Sequence, residues 1–178
     1  MIISLAGRRV DAADAKSPRF PAANTQIVAQ RIRSLFEQHR PQALVCSAAA
    51  GSDLLALEAA ADLGIYREIV LPFSPEVFRR VSVADRPGDW TRRFDRVLAD
   101  LEPRGCITCL NARGGEGAYL SANEVILDRA QLLGSEQNQP VWAVVVWNGV
   151  SRGDRDITLA FQEAAKTAHM PVIEIPTI

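Results

Sequence analysis

Histidine and cysteine are scarce in this sequence, which has only two histidines and three cysteines among 178 residues. The odd number of cysteines argues against the disulfide framework of a secreted protein. Because His39 ends a predicted helix and His169 precedes a predicted strand, both are expected at the periphery, and acid–base catalysis by histidine is not expected. No hydrophobic run approaches the ~20 residues that a membrane-spanning helix needs, so a membrane protein is not expected. The GxSxG, HExxH and GxxxxGKS/T motifs of hydrolases, zinc proteases and P-loop proteins are also missing.

Cys106 and Cys109 have the CxxC spacing that occurs in redox and zinc sites. A redox-active pair stands at the beginning of a helix, where the thiolate is stabilised, whereas this pair lies in a segment typical of a strand. A structural zinc ion needs four ligands, and no further pair of ligands accompanies these cysteines in the sequence. We therefore expect buried, reduced cysteines and no metal site.

A large net charge is missing as well, because 20 basic and 21 acidic residues leave a formal charge of −1. Proteins that bind long nucleic acids usually have a basic domain or face, so duplex binding is not expected. The first 40 residues nevertheless carry seven basic and three acidic side chains. Most basic residues are arginines, whose planar guanidinium suits phosphate, although genome composition is the favoured explanation of the overall bias. With no signal-peptide pattern at the N-terminus, a cytoplasmic protein is expected.

Short apolar runs alternate with segments of helical periodicity along the whole chain. Because strands separated by helices form parallel crossovers, this alternation predicts an α/β fold with a doubly wound, mostly parallel, Rossmann-like sheet. The runs are continuously apolar, as burial on both faces requires, and we expect a single three-layer domain over residues 1–178. The predicted strands are Ile2–Ala6, Ala43–Cys46, Glu68–Phe73, Cys106–Leu110, Val141–Trp147 and Val172–Ile175. The predicted helices are Ala22–Gln38, Leu54–Leu63, Pro75–Arg80, Trp90–Leu101, Tyr119–Leu133 and Arg155–Ala168.

Three strand-to-helix junctions carry small or basic residues, and in such sheets ligands bind beyond the carboxyl ends of the strands. The first junction reads Ser-Ala-Ala-Ala-Gly-Ser-Asp. Its small residues and the free amides of a helix N-terminus can hold a phosphate, while tight packing of helix on strand is the alternative explanation. Farther along the helix, a glutamate faces either solvent or the ligand. The candidate ligand-binding residues here are Ser47, Gly51, Ser52, Asp53 and Glu58.

The second junction holds three glycines in front of a long predicted helix. Backbone amides of a glycine-rich turn can form an anion-binding nest, although a merely flexible loop has the same composition. A tyrosine and an asparagine on one face of the helix could stack on a base and hydrogen-bond to it. The candidate residues here are Gly114, Gly115, Gly117, Tyr119 and Asn123.

The third junction follows the first strand, where Gly7 and Arg8 leave its carboxyl end. An arginine at this edge can neutralise a phosphate, and Arg19, which precedes the first long helix, can complete the charge. The alternative is that Arg8 is an ordinary surface arginine. Gly7, Arg8 and Arg19 therefore join the candidate ligand-binding residues.

These segments together resemble the SLOG superfamily of Rossmann-like proteins, which includes the DNA-processing protein DprA/Smf and the "lonely guy" (LOG) proteins. Leu5-Ala-Gly-Arg8 is similar to the Gly-x-Arg start of that superfamily. The Ser47–Asp53 junction is similar to the Ser-Gly-x-Ala-x-Gly-Ile-Asp segment of DprA. Leu71–Phe73 and Trp90–Phe94 resemble segments of a sensor-like branch of bacterial domains.

The resemblance implies that the chain binds a nucleotide or nucleotide-derived small ligand, as a sensor or signalling module. Two alternatives stay open: a LOG-type nucleotide N-glycosidase or phosphoribohydrolase, and a DprA-like module that binds single-stranded DNA or another protein. LOG enzymes carry Pro-Gly-Gly-x-Gly-Thr-x-x-Glu, and here the three glycines match but Ser121 replaces the catalytic glutamate. We therefore predict no catalytic residue and no required cofactor beyond the suspected ligand. Because related folds often pair through helices, a homodimer or homotetramer is expected.

Overall fold

The computed structural model describes residues 1–178 and contains one six-stranded sheet, in which every neighbouring pair of strands is parallel. The strands are β1 (Ile2–Gly7), β2 (Ala43–Cys46), β3 (Tyr66–Leu71), β4 (Ile107–Cys109), β5 (Val141–Trp147) and β6 (Val172–Pro176). They lie in the order β4-β3-β2-β1-β5-β6. The α/β, doubly wound fold predicted from the alternating pattern is confirmed, and the sheet is parallel throughout.

Helices cover both faces of this sheet. They are α1 (Thr25–His39), α2 (Ser52–Asp62), α3 (Pro75–Phe78), α4 (Trp90–Leu101), α5 (Glu116–Glu136) and α6 (Ile157–Thr167). Ile3 and Leu5 of β1 belong to the core under α1, α2 and α4, whereas Ile2 belongs to the core under α5 and α6. Successive strand residues are thus buried on opposite faces, which explains the continuously apolar runs. None of these helices is long and apolar enough to cross a membrane.

Most predicted elements agree with the structure, but the helix predicted at Pro75–Arg80 does not. The α-helix ends at Phe78, and Arg79–Val83 forms a π-helix in which the amide of Ala84 donates to the carbonyl of Arg79 at 2.8 Å. A π-turn closes on the fifth preceding residue, and no residue type in this segment announces that wider turn. The helix predicted from Tyr119 also begins earlier, at Glu116, directly after Gly115 with its φ of 86°.

The central position of β1 determines where a crevice opens. The chain leaves β1 towards β2 on one side of the sheet, and its later half enters the sheet at β5 on the other side of β1. Connections that diverge in this way leave space beyond the carboxyl ends of the two strands. The segment after β1, the turn before α2, the start of α5 and the loop between β5 and α6 all end at this edge.

Candidate ligand-binding site

A cavity of about 340 Å³ lies at the diverging edge of the sheet, and we call it the sheet-edge cavity. The ends of β1 and β2 form its floor, and its walls come from α2, the π-helix and the first turns of α5 and α6. Of the sequence-predicted residues, the structure brings six together here. They are Gly7, Arg8, Ser47, Asp53, Tyr119 and Asn123.

Four arginines line the sheet-edge cavity, and two of them, Arg8 and Arg9, are paired with Asp156 and Asp85. Arg9, Arg152 and Arg155 line it together with Arg8, whereas its acidic lining residues are Asp53 and Glu116. Loss of solvent around its guanidinium, followed by the charges of Arg8 and Arg19, lowers the pKa of Arg152. An anion in the cavity would relieve this repulsion, so the arrangement favours a ligand with negative charge.

Arg8 forms a buried ion pair instead of standing free. Its two terminal nitrogens lie 2.6 Å from the two carboxylate oxygens of Asp156, and both side chains are almost fully buried. The guanidinium also donates to the carbonyl of Val150 at 2.8 Å and lies 5.6 Å from the ring centre of Trp147. Arg8 therefore ties the end of β1 to the beginning of α6, and the surface-arginine alternative is wrong.

Asp156 in turn holds the loop between β5 and α6. Its carboxylate accepts from the amides of Thr158 and Leu159 as the cap of α6, and from the amide of Arg152. Burial raises the pKa of Asp156, but the hydrogen bonds from Arg8 and from these amides outweigh it and bring the pKa to about 2. The ion pair thereby sets the position of Arg152 at the cavity.

Gly7 of the third junction packs against Ser52 of the first, and Gly51 of the first junction packs against residues 8–10 of the third. A Cβ on Gly7 would lie 2.5 Å from the Cβ of Ser52 and 2.7 Å from the carbonyl oxygen of Val146. Gly51 has a φ of 119°, and a Cβ there would lie 2.6 Å from the amide nitrogen of Val10 and 2.9 Å from the carbonyl oxygen of Arg8. The hydroxyl of Ser52 donates to the carbonyl of Arg8 at 2.8 Å, so this turn binds the protein's own backbone. Gly51 and Ser52 do not line the cavity.

This packing makes a prediction about stability. Gly7→Ala should lower the free energy of unfolding by about 1–3 kcal/mol, because backbone on one side and α2 on the other leave no room for a methyl group. Gly117→Ala is the matched control, since a Cβ there meets nothing within 4 Å and alanine favours the helix. Urea unfolding at neutral pH measures both. Equal stabilities of the two variants would contradict the close approach.

Asp53 and Ser47 place polar groups in the cavity. One carboxylate oxygen of Asp53 accepts from the amide of Ala49 at 3.0 Å, and the hydroxyl of Ser47 is buried without a hydrogen-bond partner. Burial raises the pKa of Asp53 to about 7, although the Ala49 hydrogen bond and the charge of Arg9 lower it. A carboxyl group that titrates near neutrality in a cavity is a candidate functional group.

Tyr119 and Asn123 stand on the α5 wall of the cavity, one turn apart as predicted. The amide of Asn123 donates to the carbonyl of Ile157 at 2.9 Å, which joins α5 to the beginning of α6. The hydroxyl of Tyr119 lies 2.9 Å from the hydroxyl of Ser82. Both groups present polar atoms to a ligand, and both are held in place by the protein.

Seven predicted residues lie outside the sheet-edge cavity. Gly51 and Ser52 pack against the segment that follows β1, and Gly117 lies in the exposed first turn of α5. Arg19 donates to the carbonyl of Val150 at 3.0 Å. Glu58 accepts from Arg93 of α4 at 3.2 Å, so its partner is another side chain of the protein.

Gly114 and Gly115 line a neighbouring cavity, and both have positive φ values.

The two arginines of the loop after β5 were not identified from the sequence as site residues. Arg152 and Arg155 follow a central strand in a polar loop, and that position was the available signal. No group of three or more histidine, cysteine, aspartate or glutamate side chains is placed to hold a metal ion.

No protein-family model and no curated protein matches the chain. Among solved structures, the chain is similar to DNA processing protein A (DprA) from Streptococcus pneumoniae, at 17% identity and a TM-score of 0.35. That match covers 96% of this chain and 57% of the DprA chain.

Two further matches are proteins that carry the molybdenum cofactor. The molybdenum cofactor binding protein from Rippkaea orientalis has 11% identity and a TM-score of 0.38, over 97% of this chain and 87% of that one. The Moco carrier protein from Chlamydomonas reinhardtii has 15% identity and a TM-score of 0.35, over 99% and 90%. Similarity at this level concerns the arrangement of the chain and assigns it no ligand.

Proposed function

We propose that the chain binds a nucleotide or a nucleotide-derived small molecule in the sheet-edge cavity. The observation that carries this proposal is the set of arginines around the cavity, with Arg152 crowded by other positive charges. A phosphate would accept hydrogen bonds from Arg152 and Arg155. Asn123, Ser47 and Asp53 offer polar atoms to the rest of the ligand.

The proposed role is that of a sensor, as the resemblance to the sensor-like branch implies. Isothermal titration against nucleoside monophosphates, cyclic nucleotides, dinucleotides and ADP-ribose tests the binding. We expect at least one of these to bind and its affinity to fall as salt rises, because the contacts are charged. A folded protein that binds none of them would overturn the proposal.

Removing both Arg152 and Arg155 gives the most direct test of where the phosphate binds. Arg152→Gln combined with Arg155→Gln should weaken the binding of the tightest nucleotide at least about tenfold, because two charged donors to phosphate are lost. Arg92→Gln is the control, since Arg92 is an exposed arginine of α4 outside the cavity. Titration calorimetry on all three proteins measures the effect. An unchanged affinity in the double variant would place the phosphate elsewhere.

A second candidate function, a nucleotide N-glycosidase, is favoured by Asp53. A buried carboxyl with a pKa of about 7 is matched to proton transfer at neutral pH. Release of free base from nucleoside monophosphates, measured by chromatography, would support this function. Asp53→Asn should then abolish the release while the nucleotide still binds.

A further inference from the structure

A second cavity, of about 640 Å³, adjoins the sheet-edge cavity on the other side of Tyr119. We call it the loop cavity, because the segment 111–116 forms one of its walls. Its other walls are largely apolar and come from Phe73, Val77, Val81 and the ring of Tyr119. It has one arginine, Arg113, where the sheet-edge cavity has four. The two cavities therefore suit different chemical groups.

Two side chains, Tyr119 and Glu116, line both cavities. Tyr119 lines both, its ring packs edge-on against Phe73 at 5.5 Å between centres, and its hydroxyl hydrogen-bonds to Ser82 at 2.9 Å. Ser82 belongs to the π-helix, and its carbonyl accepts from the amide of Ala50 at 3.0 Å. The wide π-turn places Ser82 at the sheet-edge cavity and its neighbour Val81 at the loop cavity. Such turns recur at functional sites.

The sizes of the cavities fit an elongated ligand that occupies both. Ligand sites usually measure about 300–1,000 Å³, and the sheet-edge cavity alone lies at the lower end of that range. Aromatic side chains beside a space of this kind favour a planar ring, because rings stack on rings or pack edge to face. The only aromatic residues of the loop cavity are Phe73 and Tyr119, and they touch each other.

We infer that the two cavities are the halves of one site for a phosphate ester that carries a planar ring. The phosphate lies among the arginines of the sheet-edge cavity, and the ring lies in the loop cavity against Tyr119. The ligand passes between Tyr119 and Ser82, so their hydrogen bond closes the passage in the empty protein and opens on binding. This inference rests on the proposed function and specifies its ligand: the phosphate alone is insufficient, and the ring provides much of the affinity.

The test compares a ligand that has both halves with a ligand that has one. Ribose 5-phosphate and the four nucleoside 5′-monophosphates are titrated into the wild type and into Tyr119→Phe, Tyr119→Leu and Tyr66→Leu. Tyr66 is the only other tyrosine, and it lies at the amino end of β3, on the opposite edge of the sheet. The readout is the ratio of the dissociation constants of ribose 5-phosphate and of the tightest monophosphate. Thermal unfolding confirms that each variant is folded.

We expect a ratio of about ten or more in the wild type and in Tyr66→Leu, because one stacked base typically contributes that much. The ratio should fall to about one in Tyr119→Leu, which has lost the ring. Tyr119→Phe keeps the ring and has no hydrogen bond to break, so its monophosphate affinity should rise. If Tyr119→Leu does not fold, Val81→Gln replaces it, because Val81 is exposed and lines the loop cavity but not the sheet-edge cavity. That variant should lower the ratio severalfold.

The outcomes separate this inference from the proposed function. If ribose 5-phosphate binds and no monophosphate binds more tightly, the bipartite site is overturned and phosphate binding at the sheet edge stands. The same conclusion follows if Tyr119→Leu, or Val81→Gln in its place, keeps the wild-type ratio. If the folded wild type binds neither kind of probe, the bipartite site is overturned, and the proposed function falls with it when the cyclic nucleotides, dinucleotides and ADP-ribose also fail to bind.

Discussion

Replacing Arg8 by methionine is expected to lower the free energy of unfolding by about 3–5 kcal/mol, which is the usual result of removing one partner from a buried ion pair. The remaining carboxylate of Asp156 is fully buried in the folded protein and would lose both of its 2.6 Å hydrogen bonds to the guanidinium. Methionine fills similar space but offers no donor, so the loss concerns the charge more than the packing.

Arg79→Met is the matched control for this experiment. Arg79 and Asp95 also make two hydrogen bonds, at 2.7 and 2.8 Å, but both side chains are exposed, so solvent screens their attraction. Urea unfolding of the wild type and both variants at pH 7 measures the difference. Similar losses in the two variants would show that burial adds nothing to the Arg8–Asp156 pair.

The Arg8–Asp156 pair also makes the stability of the protein depend on pH in acid solution. Asp156 ionises near pH 3.8 in the unfolded chain and near pH 2 in the folded protein, so its contribution to stability is complete above about pH 4. It is lost as the pH falls from about 4 to about 2, and it amounts to roughly 2 kcal/mol. Arg8→Met should flatten this part of the curve of stability against pH, because without the guanidinium the pKa of Asp156 no longer falls.

The fold could be predicted from the sequence because its signal is local and repeated. Each strand is a short apolar run, and α1, α4 and α6 show a clear helical periodicity, so the alternation of strands and helices can be recognised without any long-range contact. The junctions were located for the same reason, since Gly7, Ser47 and Tyr119 all lie next to the ends of such runs. Their convergence at one edge follows from the parallel sheet.

What the residues do at that edge depends on contacts between distant parts of the chain, which no local pattern carries. Arg8 was placed correctly at the end of β1, but its partner Asp156 is 148 positions away. Gly7 and Gly51 suggested space for a phosphate, and the structure fills that space with protein backbone. Tyr119 was predicted to meet a base, whereas its contact with Ser82 depends on a π-turn that the sequence does not announce.

Asp53→Asn is expected to stabilise the protein at pH 8 by up to about 4 kcal/mol and to change little at pH 4. The carboxyl ionises near pH 3.8 when unfolded and near pH 7 when folded, because burial disfavours its charged form. The Asp53 carboxyl therefore does not destabilise the folded protein below about pH 4, where it is protonated. The folded protein loses stability as the pH rises from about 4 to about 7. A shift of about three pH units corresponds to roughly 4 kcal/mol. Asparagine does not ionise, and its amide oxygen can still accept from Ala49.

Asp128→Asn is the control, since Asp128 is an exposed aspartate of α5. Urea unfolding of the three proteins at pH 4, 6 and 8 measures the effect, and parallel curves for the wild type and Asp53→Asn would refute it. A carboxyl that destabilises the folded protein at neutral pH, in the wall of the sheet-edge cavity, has no structural advantage over an amide. Proteins accept such groups where function requires them. The stabilised Asp53→Asn protein should therefore show altered nucleotide affinity or turnover, and a stabilised protein with both unchanged would place Asp53 outside the working site.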